Sequence, residues 1–205
     1  MKLSKIYKLF IVLSGVIFFS CDSDNPEIPH EEELITTVKL TLHNESDENT
    51  EDLVFIYSDH DGDGGEAAEI TVPKLAAGTV YHGHIEFLNE SEEHEQGSVA
   101  SPKSEVEDDH EHGDDITEEI KDEAEEHQIF YLLDPSTLAT IDYAEDDVDG
   151  NGNPIGLEVA IETDTAGSGK LRIVLLHEPK KPNSGTLADA GGSTDLDVTF
   201  DFVVE

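Results

Sequence analysis

Apolar residues in this chain recur at every second position more often than at helical spacing. In Leu34 to His43 (LITTVKLTLH), Leu34, Val38, Leu40 and Leu42 share one face, and Thr37, Lys39, Thr41 and His43 share the other. Thr79 to Leu88 (TVYHGHIEFL) sets Tyr81, Ile85 and Phe87 against His82, His84 and Glu86. Near the end, Leu196, Val198, Phe200, Phe202 and Val204 alternate with Asp195, Asp197, Thr199 and Asp201. A period of two with β-branched and aromatic residues predicts half-buried strands. Shorter runs predict further strands at Leu53–Tyr57, Ala68–Val72, Gln128–Leu133, Leu138–Tyr143, Gly156–Thr163 and Lys170–His177. Ala76–Gly78, Asp134-Pro135 and Ala166–Gly169 read as turns, and Pro179–Ser193 as a long loop.

One stretch has helical spacing. In Asp115 to His127 (DITEEIKDEAEEH), Ile116, Ile120 and Ala124 fall at i, i+4 and i+8, and Asp115 with Glu118 resembles a capping box. The segment predicts a short helix laid on a sheet. Residues 89–114 hold almost no large apolar side chain and read as a disordered acidic insertion. Residues 34–205 are therefore expected to form one mostly β domain, a single antiparallel β-sandwich of about nine strands, Ig-like, with one short helix.

The first residues obey a different pattern. Lys2, Lys5 and Lys8 precede an apolar run from Leu9 to Phe19, and Ser20 then leads to Cys21, the one cysteine. A basic start, a short apolar stretch and a small residue make a secretory signal, too short for a bilayer that needs about 20 apolar residues. The Ser20-Cys21 junction resembles a bacterial lipobox, which implies cleavage before Cys21 and lipid on that residue. An ordinary secretory peptide with an incidental cysteine is the alternative. Residues 21–33 are polar, acidic and proline-containing, and read as a tether.

Charge narrows the choice of partner. The chain carries 49 Asp and Glu against 11 Lys and Arg, a formal net charge of −38, and the leader holds three of the lysines and no acid. Such a chain repels nucleic acid and anionic membranes and attracts divalent cations or basic protein surfaces. With a Debye length of about 8 Å, many of its carboxylates feel one another. With no cysteine beyond Cys21, burial or metal must hold the core.

Several segments together resemble a known group. They are Leu34-Ile35-Thr36-Thr37-Val38, Asp61-Gly62-Asp63-Gly64-Gly65, Ile85 to Glu90, Ile116 to Ile120, Glu126-His127-Gln128, Asn151 to Leu157, Leu176-His177-Glu178-Pro179 and Asp197-Val198-Thr199-Phe200. This set is similar to a group of flavobacterial surface lipoproteins often labelled "type 1 periplasmic binding fold superfamily". The resemblance covers most of the chain beyond the leader. It implies a lipoprotein and brings no catalytic residues with it; the acid directly after Cys21, at Asp22-Ser23-Asp24, resembles the export signal of surface lipoproteins and implies an outward-facing place on the outer membrane. The label implies a two-lobed α/β fold, whereas the residue pattern here predicts sheet.

Candidate chemistry lies in loops and on polar strand faces. Asp147, Asp149, Asn151, Gly152 and Glu158 match an EF-hand calcium loop position by position, although predicted strands flank it and Pro154 interrupts it. A plain Gly/Asn hairpin turn is the alternative. Asp59, Asp61 and Asp63 give the first half of the same pattern, with Ile70 where the closing Glu belongs. His82 and His84 stand at i and i+2, where two imidazoles on one strand face can converge on zinc or a similar transition metal. His110 and His112, with His94 nearby, repeat the spacing within the acidic insertion. A solvated polar face is the alternative for these. His127 reads as a packed core residue after the helix stripe, and His177 as a structural residue ending an apolar strand.

Signals for catalysis are poor. No free cysteine nucleophile, nucleophile-elbow serine or phosphate-binding loop is present; Ala166 to Lys170 lacks P-loop spacing. Two functions stay open. The chain is either a lipid-anchored, non-enzymatic envelope protein that captures divalent cations, calcium in the Asp loops and zinc at the His pairs, with an accessory role in outer-membrane uptake through a receptor. Or it is an adhesion or interaction module, rigidified by calcium, with a basic protein partner.

Overall fold

The structure, a computed structural model, describes residues 33–47, 49–61, 65–91 and 114–205. The leader, Cys21, nearly all of the tether, Asp63, His94, His110, His112 and most of the acidic insertion lie outside the described residues. Glu32–Glu205 forms one compact unit. Among the described residues no helix is long and apolar enough to cross a membrane.

The fold is mostly β. Its strands are β1 (Thr37–Asn44), β2 (Leu53–Ser58), β3 (Glu69–Thr71), β4 (Lys74–Leu75), β5 (Val80–Asn89), β6 (Asp114–Asp115), β7 (His127–Asp134), β8 (Ala139–Tyr143), β9 (Glu158–Thr163), β10 (Gly167–His177) and β11 (Ser193–Val204). Two short helices are α1 (Ile116–Asp122) and α2 (Leu187–Ala190). One sheet runs β3-β2-β1-β5-β9-β8, with β6 paired to the end of β5; the other runs β4-β11-β10-β7.

Both sheets feed one core. Val38, Leu40, Leu42, Phe55, Ile85 and Phe87 enter from the first, and Ile129, Leu171, Ile173, Leu175, Val198, Phe200 and Phe202 from the second. The rings of Phe55 and Phe200 meet edge to face across it, centroids 5.5 Å apart. Each such side chain contributes about 1.5–3 kcal/mol by leaving water. In β5 the alternation holds as expected: Tyr81, Gly83, Ile85 and Phe87 are buried, and His82 and His84 face out. Gly83 sits between the two histidines because a Cβ there would press on Val159 and Leu42, 2.9 and 3.0 Å away.

Several expectations are corrected. The described residues hold eleven strands rather than about nine, and β4 pairs with β11 in parallel. Two-residue strands carry too short an alternation to be read. α1 stops at Asp122, because acids crowd its carboxyl end and oppose the helix dipole. His127 consequently opens a strand instead of closing a helix. Asp115 caps α1 by accepting from Thr117 N at 3.0 Å. The Gly167–Gly169 stretch is strand, not turn, because Leu138 packs where a Cβ on either glycine would stand. Leu34, expected on the core face, is 57 % exposed. The loop after β10 contains α2, which covers Phe130, Val174 and Leu176 on the other face of the second sheet.

The correction with most consequence is at Asp195. Alternation with Leu196 puts it outward beside Asp197. Instead the register between β10 and β11 shifts: Leu175 pairs with Leu196, while Leu176 pairs with Thr194. Asp195 is the extra residue of a bulge, and bulges re-aim side chains. Its carboxylate is fully buried.

Candidate metal centre

The outer face of the first sheet holds His82 and His84, two of the histidines that the sequence singles out. His84 Nδ1 donates to Glu158 Oε1 at 2.8 Å, and His82 Nε2 stands 3.9 Å from Glu45 Oε1. His43, opposite His82 on β1, donates to Asp52 at 2.8 Å. Each imidazole thus has its own exposed carboxylate.

The Asp147–Glu158 loop is tied to itself. Asp147 Oδ2 accepts from the backbone N–H of Gly156 and Glu158, at 2.7 and 3.1 Å. Asp149 Oδ1 accepts from the N–H of Asn151 and Asn153, at 2.9 and 2.8 Å. Val148 pairs with Pro154 around a turn whose Gly152 has φ +82°. Asp149 Oδ2 faces Lys181 Nζ at 3.5 Å, both side chains at least 95 % buried. Burial raises the Asp149 pKa, but hydrogen bonds from Asn153 and Asn151 and the Lys181 charge outweigh it and hold the carboxyl below its ordinary value. Asn151 is exposed, and Glu158 turns to His84. In the other loop, Asp61 accepts from Glu66 N at 2.8 Å, and Tyr57 donates to Asp59 at 3.2 Å.

A different set converges. Among the described residues, every group of three or more ligand atoms within 4.8 Å of one another includes His127 or His177. One is His127, His177 and Asp195; the others are Glu33, Glu123 and His127, and Glu126, His177 and Glu178. His127 opens β7 and His177 closes β10, and the two are register partners. Their rings stack with centroids 4.8 Å apart and planes 20° apart. His127 is wholly buried and His177 is 7 % exposed. Glu33, just ahead of β1, brings a side chain only 8 % exposed against His127.

Local geometry explains the convergence. Alternation along β7 and β10 puts both rings on the side of Ile129 and Leu175, that is, toward the core. Gly192, at φ +80°, lets β11 start against the end of β10, where a Cβ would strike His177 O. Glu178 turns the chain at once with φ 51°, a left-handed conformation costly for a residue with a side chain. Tyr131 and Tyr143 fasten β7 to its neighbours by donating to Gly156 O and Ile129 O, each at 2.7 Å.

The hydrogen bonds fix the chemistry of His127. Its Nδ1 lies 3.3 Å from Glu123 O, and a carbonyl oxygen can only accept. Nδ1 therefore carries the proton, and in the neutral ring the lone pair sits on Nε2. That nitrogen makes no hydrogen bond, yet it faces Glu33 Oε1 at 3.2 Å and Asp195 Oδ2 at 3.9 Å. A lone pair facing acceptor-only oxygens calls for a cation among them, either a proton or a metal ion. Burial lowers the His127 pKa, but Glu33, the Glu123 carbonyl and Asp195 outweigh it and leave it raised. Metal-bound imidazoles commonly have this second-nitrogen bond to a carbonyl.

An open groove of about 870 Å³ lies alongside. Its walls include His82, Asp146, Asp147 and Glu158 together with Glu123 and Glu126, which also belong to the groups around His127 and His177. The exposed carboxylates and the buried imidazoles thus share two residues.

Comparison with known protein families, with curated proteins and with solved structures finds no match. Sequence reasoning placed His127 and His177 in the core as packing residues and missed Asp195 and Glu33. One signal was available: both histidines end or begin long apolar runs, where a neutral packing residue would ordinarily be aliphatic.

Proposed function

We propose that this chain is a lipid-anchored, non-enzymatic cell-envelope protein that binds divalent transition-metal ions, zinc foremost. Its two sheets are the halves of a β-sandwich, and the metal centre lies where β7, β10 and β11 meet. The observation that carries this reading is the buried convergence of one ligand atom each from His127, His177 and Asp195 within 4.8 Å of one another, with His127 Nε2 3.9 Å from Asp195 Oδ2. Two imidazoles and a carboxylate suit zinc, and also accept copper or nickel. The groove beside the centre concentrates cations by its field and gives them a way in. Cys21 supplies the lipid, and the net charge of −38 leaves cations as the natural ligand at an outer-membrane surface. An accessory role in metal uptake follows from that placement.

Calorimetric titration of the purified full chain with zinc tests this. The expected result is one tight equivalent per chain, lost in His127→Gln and His177→Gln and kept in His82→Ala/His84→Ala. Equal heats in all four proteins would defeat the buried-centre reading. A second reading, a module that docks a basic protein, draws on the carboxylate-lined groove. It expects polylysine to compete with zinc only at the exposed, weak sites.

A further inference from the structure

His127 belongs to two separate ligand groups. One is the centre with His177 and Asp195. The other joins His127 to Glu33 and Glu123, one ligand atom from each lying within 4.8 Å of the other two, and it shares no further residue with the centre. We infer that this second group is a site of its own for a harder divalent ion, manganese(II) foremost, and that it competes with the zinc centre for His127. Only the competition rests on the metal-centre reading above; the site itself stands on Glu33, Glu123 and His127.

Two buried atoms call for the ion. Glu33 Oε1 stands 3.2 Å from His127 Nε2, with the two side chains 8 % and 0 % exposed. Glu33 Oε2 and His127 Nε2 are buried and make no hydrogen bond among the described residues. Buried polar atoms are nearly always satisfied, and one cation between them satisfies both. The donor types select which cation. One imidazole with two carboxylates is richer in oxygen than the two imidazoles and one carboxylate of the centre. Oxygen-rich sets suit manganese and magnesium, whereas imidazole suits zinc, copper and nickel.

The local fold brings the donors together. Glu123 is the C-cap of α1, and its carbonyl accepts from Glu126 N at 2.8 Å and from His127 Nδ1 at 3.3 Å. That tight turn sets the Glu123 side chain beside the His127 ring. Glu123 also walls the open groove, so water reaches the ion and fills the larger shell that manganese prefers. With Nδ1 committed to the Glu123 carbonyl, His127 has one lone pair, on Nε2, and serves one ion at a time.

Electron paramagnetic resonance of manganese(II) added to the purified full chain tests the site, because the sharp signal of the aqueous ion fades on binding. The wild type is expected to bind manganese and to release it when zinc is added. Glu33→Gln and Glu123→Gln each weaken manganese by at least about tenfold, the least that losing even a supporting partner costs a metal site, and both keep the tight zinc phase. His177→Gln does the reverse, and His127→Gln loses both ions. Manganese affinity unchanged in both Glu variants, or lost together with zinc in His177→Gln, overturns the second site. No manganese binding by a wild type that still takes zinc also overturns it, and leaves Glu33 as an ion-pair partner of His127. A wild type that binds manganese but no zinc keeps this site and removes the centre and the competition.

Discussion

The two histidine-bearing regions of this protein obey opposite rules. On the outer face of the first sheet, His43 and His84 each donate to one carboxylate at 2.8 Å, in water and half exposed. Such pairs are worth about 0–1 kcal/mol and are complete without an ion. At the end of the second sheet, His127 is wholly buried, its Nδ1 is committed to Glu123 O, and Nε2 faces two carboxylates. Stacking order in sequence says nothing of this difference. An imidazole on a polar strand face advertises itself by alternation, but water and the nearest acid satisfy it. An imidazole among apolar neighbours looks like packing, and there a nitrogen that faces two carboxylates calls for a proton or a metal ion between them.

The largest expected difference between the regions is in metal affinity. His177→Gln weakens zinc by more than about a hundredfold, the upper range for losing support of a ligand set. His82→Ala/His84→Ala changes the tight phase by less than about twofold, since each exposed imidazole contributes no more than a weak surface pair. A double variant that abolishes the tight phase would reverse the comparison.

The next largest effect concerns folding. Asp149→Ala leaves Lys181 buried without its counter-charge and costs about 3–5 kcal/mol, read as a lower denaturant midpoint. The folded pKa of Asp149 lies below the unfolded 3.8, so its stabilisation is complete above 3.8 and is lost as pH falls through the lower, folded value. Acid titration of wild type and Asp149→Asn therefore converges at the acid end. Divergence of the two curves below pH 3.8 would contradict the assignment.

If the buried centre holds zinc as proposed, the ion stabilises the native state by about 2.7 kcal/mol when its concentration is about a hundred times Kd. At this size that raises Tm by about 5–11 °C. The same rise in His127→Gln would place the ion elsewhere. The smallest effect is calcium's. Asp147 and Asp149 already accept the loop's own N–H groups, so millimolar calcium raises Tm no more than magnesium does. A clear excess for calcium would revive the loop as a specific site.

Much of the sheet was legible. The alternation in β5 and the even-numbered face of β11 follow directly from a period of two, and both are buried as the pattern requires. The His82-Gly83-His84 motif was equally plain, although Gly83 is there to admit Val159 and Leu42. The buried centre was illegible for three physical reasons. The bulge that turns Asp195 inward is one residue of register, invisible to an alternation that runs unbroken through Leu196 to Val204. Glu33 reads as the last acid of a polar tether, because composition does not report which residue folds back. His127 seemed to end a helix, because its apolar stripe continues to Ala124 while the carboxylates that halt the helix at Asp122 look like solvated surface.

The most direct measurement is anomalous diffraction at the zinc edge from crystals of the full chain grown with one equivalent of zinc. A single peak bounded by His127, His177 and Asp195 is the predicted result. A peak at His82 and His84, or none anywhere, would contradict the central claim that the buried pair, and not the exposed one, holds the ion.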